Sequence, residues 1–475
     1  MVTKNNKLGL VPLSAMCVGS MIGAGLFDLP QNVAHNAGVV ALLIAWAITF
    51  LGMLCLARVF QNLSMRCPEL DVGIYAYAKA GLGDYLGFNS AWGYWISVWV
   101  GNAGYIIVLC AALSLFFPLF GDGTSLLSLA VSSLIIWVVT YLCVRGIKSA
   151  TLVNTVITII KVVPIIIFIL IIAYAFNPQI FAANVLQPGK LGSVAGQVKG
   201  MMLITVWLFI GIEGASVFSA WARDRRDVGK ATIISFLIMF VVLFAISLLP
   251  FGILPQEGIA ALKNPSTGAL LAHSTGVLGN AFINIALVIS ILGAFLSWVL
   301  IAAEVPFFAG KRDGLFPKIF VLENKVNFPI GALIITAVCE QLYLVFAYFY
   351  QAGYLPTISL AVAMILPPYL FSAFYALLLA ATGKTYEKVA AQKRFWDFLI
   401  SMVAVAYGVW LLYSAGKYLL LSSVLYFIGG VIYIANKIWR RQKVFNKYEL
   451  ILFLVLGLAS VISVVALING QIKLS

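Results

Sequence analysis

From Val11 to Leu467 the chain offers apolar runs of membrane-spanning length almost without interruption. A helix needs about 20 apolar residues to cross the hydrocarbon core of a bilayer. Runs such as Ala41 to Leu56 and Val162 to Ala173 are apolar on every face, whereas outer-membrane strands alternate over segments of about ten residues. Helices are therefore the expected spanning elements. Of the 475 residues, 63% are hydrophobic and 10% charged, with a mean hydropathy of +1.05, more than a water-soluble core of this size needs. The start, Met-Val-Thr-Lys-Asn-Asn-Lys, runs straight into apolar sequence without a small-residue cleavage site and is expected to be retained.

Apolar runs set against their polar breaks predict about thirteen spans. They lie near 12–33, 38–58, 86–117, 124–144, 150–176, 198–220, 230–253, 276–309, 329–349, 354–380, 395–415, 418–436 and 449–469. Numbering the connections alternately puts twenty-four of the thirty Lys and Arg residues on one side and five on the other, with Lys161 inside a span. Cytoplasmic loops carry the basic excess, so the N-terminus, residues 1–10, is expected in the cytoplasm, and an odd count puts the C-terminus outside. The net charge of +14 then reflects topology, and a nucleic-acid partner is not needed. Six scattered cysteines without Cys-x-x-Cys spacing and two histidines, His35 and His273, form neither a metal site nor a disulfide framework. No cofactor is expected.

The first span contains Gly19-Ser-Met-Ile-Gly-Ala-Gly-Leu-Phe27, and the sixth contains Trp207-Leu-Phe-Ile-Gly-Ile-Glu-Gly-Ala-Ser216. Glycine clusters at mid-membrane depth, five spans apart, predict paired helix breaks with a binding site between two inverted repeats. The alternative is close helix packing through small residues. Glu213, Glu304 and Glu340 lie at membrane depth, where an acid needs a partner, a cavity or a proton. Glu213, inside the second break, stands out; Glu304 and Glu340 have no such context. Lys161 is expected to bond a polar group or a carbonyl freed by a broken helix. Trp95, Trp99, Trp207 and Trp298 recur around the breaks, and Trp207 could hold a cation against its indole face.

In order and spacing, these motifs resemble the amino acid–polyamine–organocation superfamily, and within it the basic amino acid exchangers. Tyr75-Ala-Tyr-Ala-Lys-Ala-Gly81, Tyr94-Trp-Ile-Ser-Val-Trp-Val-Gly-Asn102, Ser297-Trp298, Gly310-Lys-Arg-Asp-Gly-Leu-Phe-Pro317 and Pro367-Pro-Tyr369 extend the resemblance from about Lys7 to Lys443. It implies an all-α polytopic membrane protein with a LeuT-like 5+5 inverted-repeat fold and broken helices 1 and 6. The repeats would cover 11–176 and 198–380, followed by a cytoplasmic loop at 381–394 and accessory helices over 395–475.

The same resemblance implies a substrate site at Ile22, Gly23, Ala24, Gly25, Asn102, Tyr105, Trp207, Ile210, Trp298 and Ala361. Gly23 to Gly25 would offer N–H groups to the substrate carboxylate, and the Ile210 carbonyl would take the α-amino group. Trp207 would stack near the cationic side chain, Trp298 would line the pocket and Asn102 would bond the side-chain head. Tyr94, Glu213 and Tyr369 would form a cytoplasmic gate, and Lys161 would stand where sodium sits in sodium-coupled relatives. Ala24 replaces a serine, and Tyr105 a methionine, of the arginine/agmatine exchangers. These departures and the thirteenth span favour arginine/ornithine exchange over arginine/agmatine exchange. Exchange of other basic amino acids or amines, proton-coupled uptake and amino acid sensing are the rival readings; no catalytic constellation is legible. The expected setting is the inner or plasma membrane, with a homodimer among the expectations.

Overall fold

The computed structural model describes residues 9–70, 73–145, 150–186, 191–213, 223–325, 328–387 and 389–472. Most of the expected N-terminal segment, residue 388 of the expected 381–394 loop, and the Gly214-Ala-Ser216 end of the second glycine motif lie outside the described residues. Among them the secondary structure is helical throughout. The helices are α1 (Leu10–Met21), α2 (Leu29–Asn36), α3 (Val39–Arg66), α4 (Ile74–Leu82), α5 (Asp84–Leu113), α6 (Leu126–Val144), α7 (Ala150–Tyr174), α8 (Pro178–Leu186) and α9 (Val194–Trp207). The second half continues with α10 (Arg225–Leu248), α11 (Gln256–Ala260), α12 (Ser266–Thr275), α13 (Val277–Asp313), α14 (Ile330–Tyr350), α15 (Tyr354–Thr382), α16 (Ala391–Ala415), α17 (Lys417–Trp439) and α18 (Lys447–Ile468).

Among the described residues ten helices are long and apolar enough to cross a membrane, or eleven if the pair Lys161–Tyr174 and Pro178–Leu186, bent by 87°, is one span. The chain is thus a multi-pass membrane protein. The sequence-based total of thirteen also includes the first and sixth spans, whose described helices α1 and α9 have 12 and 14 residues and are too short to cross alone.

Packing repeats itself with an offset of five spans. Counting spans as the sequence does, α3 against α9 is the second against the sixth, and α1 against α10 is its counterpart, the seventh against the first. Likewise α5 lies on α15 and α13 on α7, while α1 meets α7 and α15 meets α9. A contact set that maps onto itself under such an offset is the signature of two structurally repeated five-span units. The most enclosed span is α5, buried over 89% of its most apolar window. It faces the second half through α13 and α15 and so presents its side chains to the space between the repeats.

Candidate functional site

The first break begins where α1 stops at Met21. Ile22 and Gly23 are extended, Ala24–Leu26 form one 3-10 turn, and α2 starts only at Leu29. The first N–H groups of a helical turn lack intrahelical acceptors, so the N–H groups at Gly23, Ala24 and Gly25, all buried, have no partner within the turn. On the other side of the break, the Lys161 ammonium donates to the carbonyls of Gly19 (3.3 Å) and Ile22 (3.4 Å). The lysine therefore satisfies carbonyl groups at the end of α1.

In the sixth span α9 ends at Trp207 and turns carry the chain through Glu213. Gly211 has φ +106°, a conformation in which a side chain is strained. The two breaks touch, because the Ser20 hydroxyl donates to the Gly211 carbonyl at 3.3 Å. Glu213 caps this meeting point. Its Oε1 accepts from the Tyr94 hydroxyl (2.9 Å), and its Oε2 accepts from the Tyr369 hydroxyl (2.7 Å) and the Gly211 N–H (3.1 Å). One buried carboxyl thereby ties α5 and α15 to the second break.

Trp207 occupies the space between the breaks. A Cβ on Gly25 would lie 2.6 Å from its Nε1, and one on Gly101 would lie 2.8 Å from its Cη2. The indole thus runs from broken helix one to α5, and both glycines are needed for it to fit. Its Nε1 donates to the Tyr354 hydroxyl at 2.9 Å, and the Tyr105 ring meets it edge-on with centroids 5.8 Å apart. The Tyr105 hydroxyl closes over Gly23, where a Cβ would collide with it, and Trp298, buried on α13, approaches Tyr105. Ile210 is buried in the turn following Trp207, to whose carbonyl its N–H donates. Ala361 lies buried on α15, one and two helical turns beyond Thr357 and Tyr354, which face Gly104.

Asn102 is engaged by the protein itself, its Nδ2 donating to Glu340 Oε1 at 2.8 Å. Glu340, without context in the sequence, is a buried neighbour of an expected site residue. Glu304 is exposed on α13. Trp95 serves packing, donating to Thr336 Oγ1. Two residues were missed by sequence reasoning. Tyr354 reads as an ordinary aromatic at a helix start and gives no local signal. Asp28 does give one, an acid immediately after the glycine motif; it is fully buried, and among the described residues neither carboxyl oxygen finds a hydrogen-bond partner.

A protein-family model described as amino acid permease matches residues 8–474. The chain belongs to the amino acid permease family. This permease is 47% identical over 479 residues to the arginine/ornithine antiporter of Pseudomonas aeruginosa, with 99% of each chain covered. It is 39% identical to the arginine/agmatine antiporter of Chlamydia pneumoniae, again over 99% of both chains. The L-lysine transport protein of Corynebacterium glutamicum is 38% identical, with 97% of this chain and 95% of that one covered. In fold, the permease is similar to crystal structures of mutants of the Eremococcus coleocola manganese transporter, with TM-score 0.54 and 14% identity, covering 90% of this chain and 94% of that one. Its family transports rather than catalyses.

Proposed function

We propose that this permease exchanges arginine outside the cell for ornithine inside by alternating access, without sodium. The observation that carries the reading is the meeting of two interrupted spans around one indole. Backbone N–H groups at Gly23 to Gly25 suit a carboxylate, carbonyls near Ile210 suit an α-amino group, and the Trp207 face suits a cationic side chain, for about 2 kcal/mol in a dry site. The names of the relatives select the cargo, and ornithine is preferred to agmatine as the returning partner. Sodium independence is supported by Lys161, whose ammonium already sits on carbonyls at the first break. In the same reading, Tyr94, Glu213 and Tyr369 form the cytoplasmic gate, and Trp298, Tyr105, Asn102 and Ala361 line the side-chain end. Residues 11–176 and 198–380 are the repeats, 381–394 a cytoplasmic loop, and 395–475 the accessory helices. The N-terminus is cytoplasmic, the total is thirteen spans, the setting is the inner or plasma membrane, and a homodimer is the working assembly.

Arginine and ornithine carry the same net charge, so the exchange is electroneutral and runs on their concentration gradients. Proteoliposomes loaded with ornithine are expected to take up labelled arginine, and empty vesicles to take up little. Equal uptake by both would refute obligatory exchange. Agmatine or lysine outcompeting ornithine as internal substrate would redirect the cargo assignment, and uptake driven by a proton gradient alone would replace exchange by symport.

A further inference from the structure

The indole of Trp207 has two ends with different chemistry. Its pyrrole edge rests on Gly25, beside the free N–H groups of the first break, and the far edge of its six-membered ring rests on Gly101. Next to Gly101 stands Asn102, one helical turn before Tyr105, whose ring also meets the indole. A solute lying along the indole with its carboxylate at Gly25 therefore brings the end of a three-carbon or longer side chain to Asn102. Behind Asn102 is Glu340, 1% exposed, with Oε1 2.8 Å from Asn102 Nδ2.

A carboxylate only accepts hydrogen bonds. Glu340 therefore holds the Asn102 amide with its NH2 toward the carboxylate, which leaves the amide oxygen on the opposite arm of the group. We propose that Glu340 is the residue that makes the side-chain end of the site select a cation, by fixing Asn102 with its carbonyl oxygen presented to the solute and by setting a negative charge directly behind it. The inference deepens the exchange reading and rests on it. A buried carboxylate with one neutral donor is short of compensating charge, and a guanidinium or ammonium bonded to Asn102 Oδ1 supplies it. A neutral urea or amide head can still donate to Oδ1 but leaves the charge uncompensated. Glu340 is thus a positioning residue, acting through Asn102, and its signature is discrimination by charge.

The test compares arginine with citrulline, which replaces the guanidinium by a neutral urea of nearly the same shape. Competition against labelled arginine on the purified full chain in nanodiscs gives both affinities. The wild-type protein is expected to favour arginine by tenfold or more, Glu340→Gln to cut that preference at least tenfold with citrulline affinity changed less than threefold, and Glu340→Asp to retain most of it. An unchanged ratio in Glu340→Gln overturns the inference, as does Glu340→Asp losing as much as Glu340→Gln, because charge would then not be the agent. Should Glu340→Gln fail to fold, wild-type protein binding citrulline as tightly as arginine overturns it equally. A wild-type chain that binds neither solute refutes the exchange reading itself; arginine binding with an unchanged mutant ratio refutes this inference alone.

Discussion

Replacing Glu213 by glutamine tests whether one carboxyl controls the approach of α5 and α15 to the second break. The native group takes three donors: Tyr94, Tyr369 and the Gly211 N–H. A glutamine has one acceptor oxygen. Placed at the Oε2 position it keeps Tyr369 and Gly211, while its NH2 faces the Tyr94 hydroxyl, which must rotate to accept. Each of the three bonds to a charged group, worth about 1.5–3 kcal/mol, becomes a neutral one of about 0.5–1.5 kcal/mol, so the net loss is at least about 1–2 kcal/mol. That corresponds to a factor of at least about 5–30. Alanine leaves three buried donors without an acceptor, each costing about 1–3 kcal/mol, so Glu213→Ala is expected to slow exchange by more than about a hundredfold and to lower the melting temperature in detergent. Arginine self-exchange in proteoliposomes, with substrate saturating on both sides, reads the effect as kcat. Glutamine at the wild-type rate, or alanine no worse than glutamine, would show that the tyrosines do not work through this carboxyl.

Three further substitutions probe the site. Lys161→Met removes two bonds at 3.3 and 3.4 Å, together worth about 1–3 kcal/mol at that length; exchange should fall more than about tenfold, and replacing sodium by choline should change neither protein. Gly25→Ala puts a methyl 2.6 Å from Trp207 Nε1, an overpacking of about 1–3 kcal/mol that should block exchange in a protein still monodisperse on gel filtration, whereas Gly9→Ala, with nothing within 4 Å, should be silent. Tyr354→Phe takes away the acceptor of the Trp207 indole, costing about 1 kcal/mol and raising KM about fivefold; Trp207→Leu should cripple exchange at a nearly unchanged melting temperature, and full activity in Trp207→Leu would remove the indole from the site.

The breaks were legible because their cause is local. Gly-Ala-Gly in one span and Gly-Ile-Glu-Gly in another weaken a helix wherever they occur, and α1 and α9 end where those motifs begin. The meaning of the buried acids was not local. A carboxyl at membrane depth calls for a partner, yet the partner of Glu340 lies 238 residues away at Asn102, and those of Glu213 lie 119 and 156 residues away. Only the packing of α5 against α14 and α15 joins them. The same breaks account for the difference between thirteen apolar runs and the ten or eleven helices long enough to cross among the described residues: hydropathy counts the first and sixth runs whole, whereas α1 and α9 stop at 12 and 14 residues.

Glu213 and Glu340, indistinguishable as lone acids in a hydropathy profile, lie in different environments. Glu213 is saturated by three donors from three segments, which suits a group that holds parts of the protein together. Glu340 has, among the described residues, a single neutral donor, Asn102, which is the basis for proposing that its charge serves something that arrives. The number and kind of donors around each acid, rather than its depth in the sequence, is what the proposed latch and recognition roles rest on.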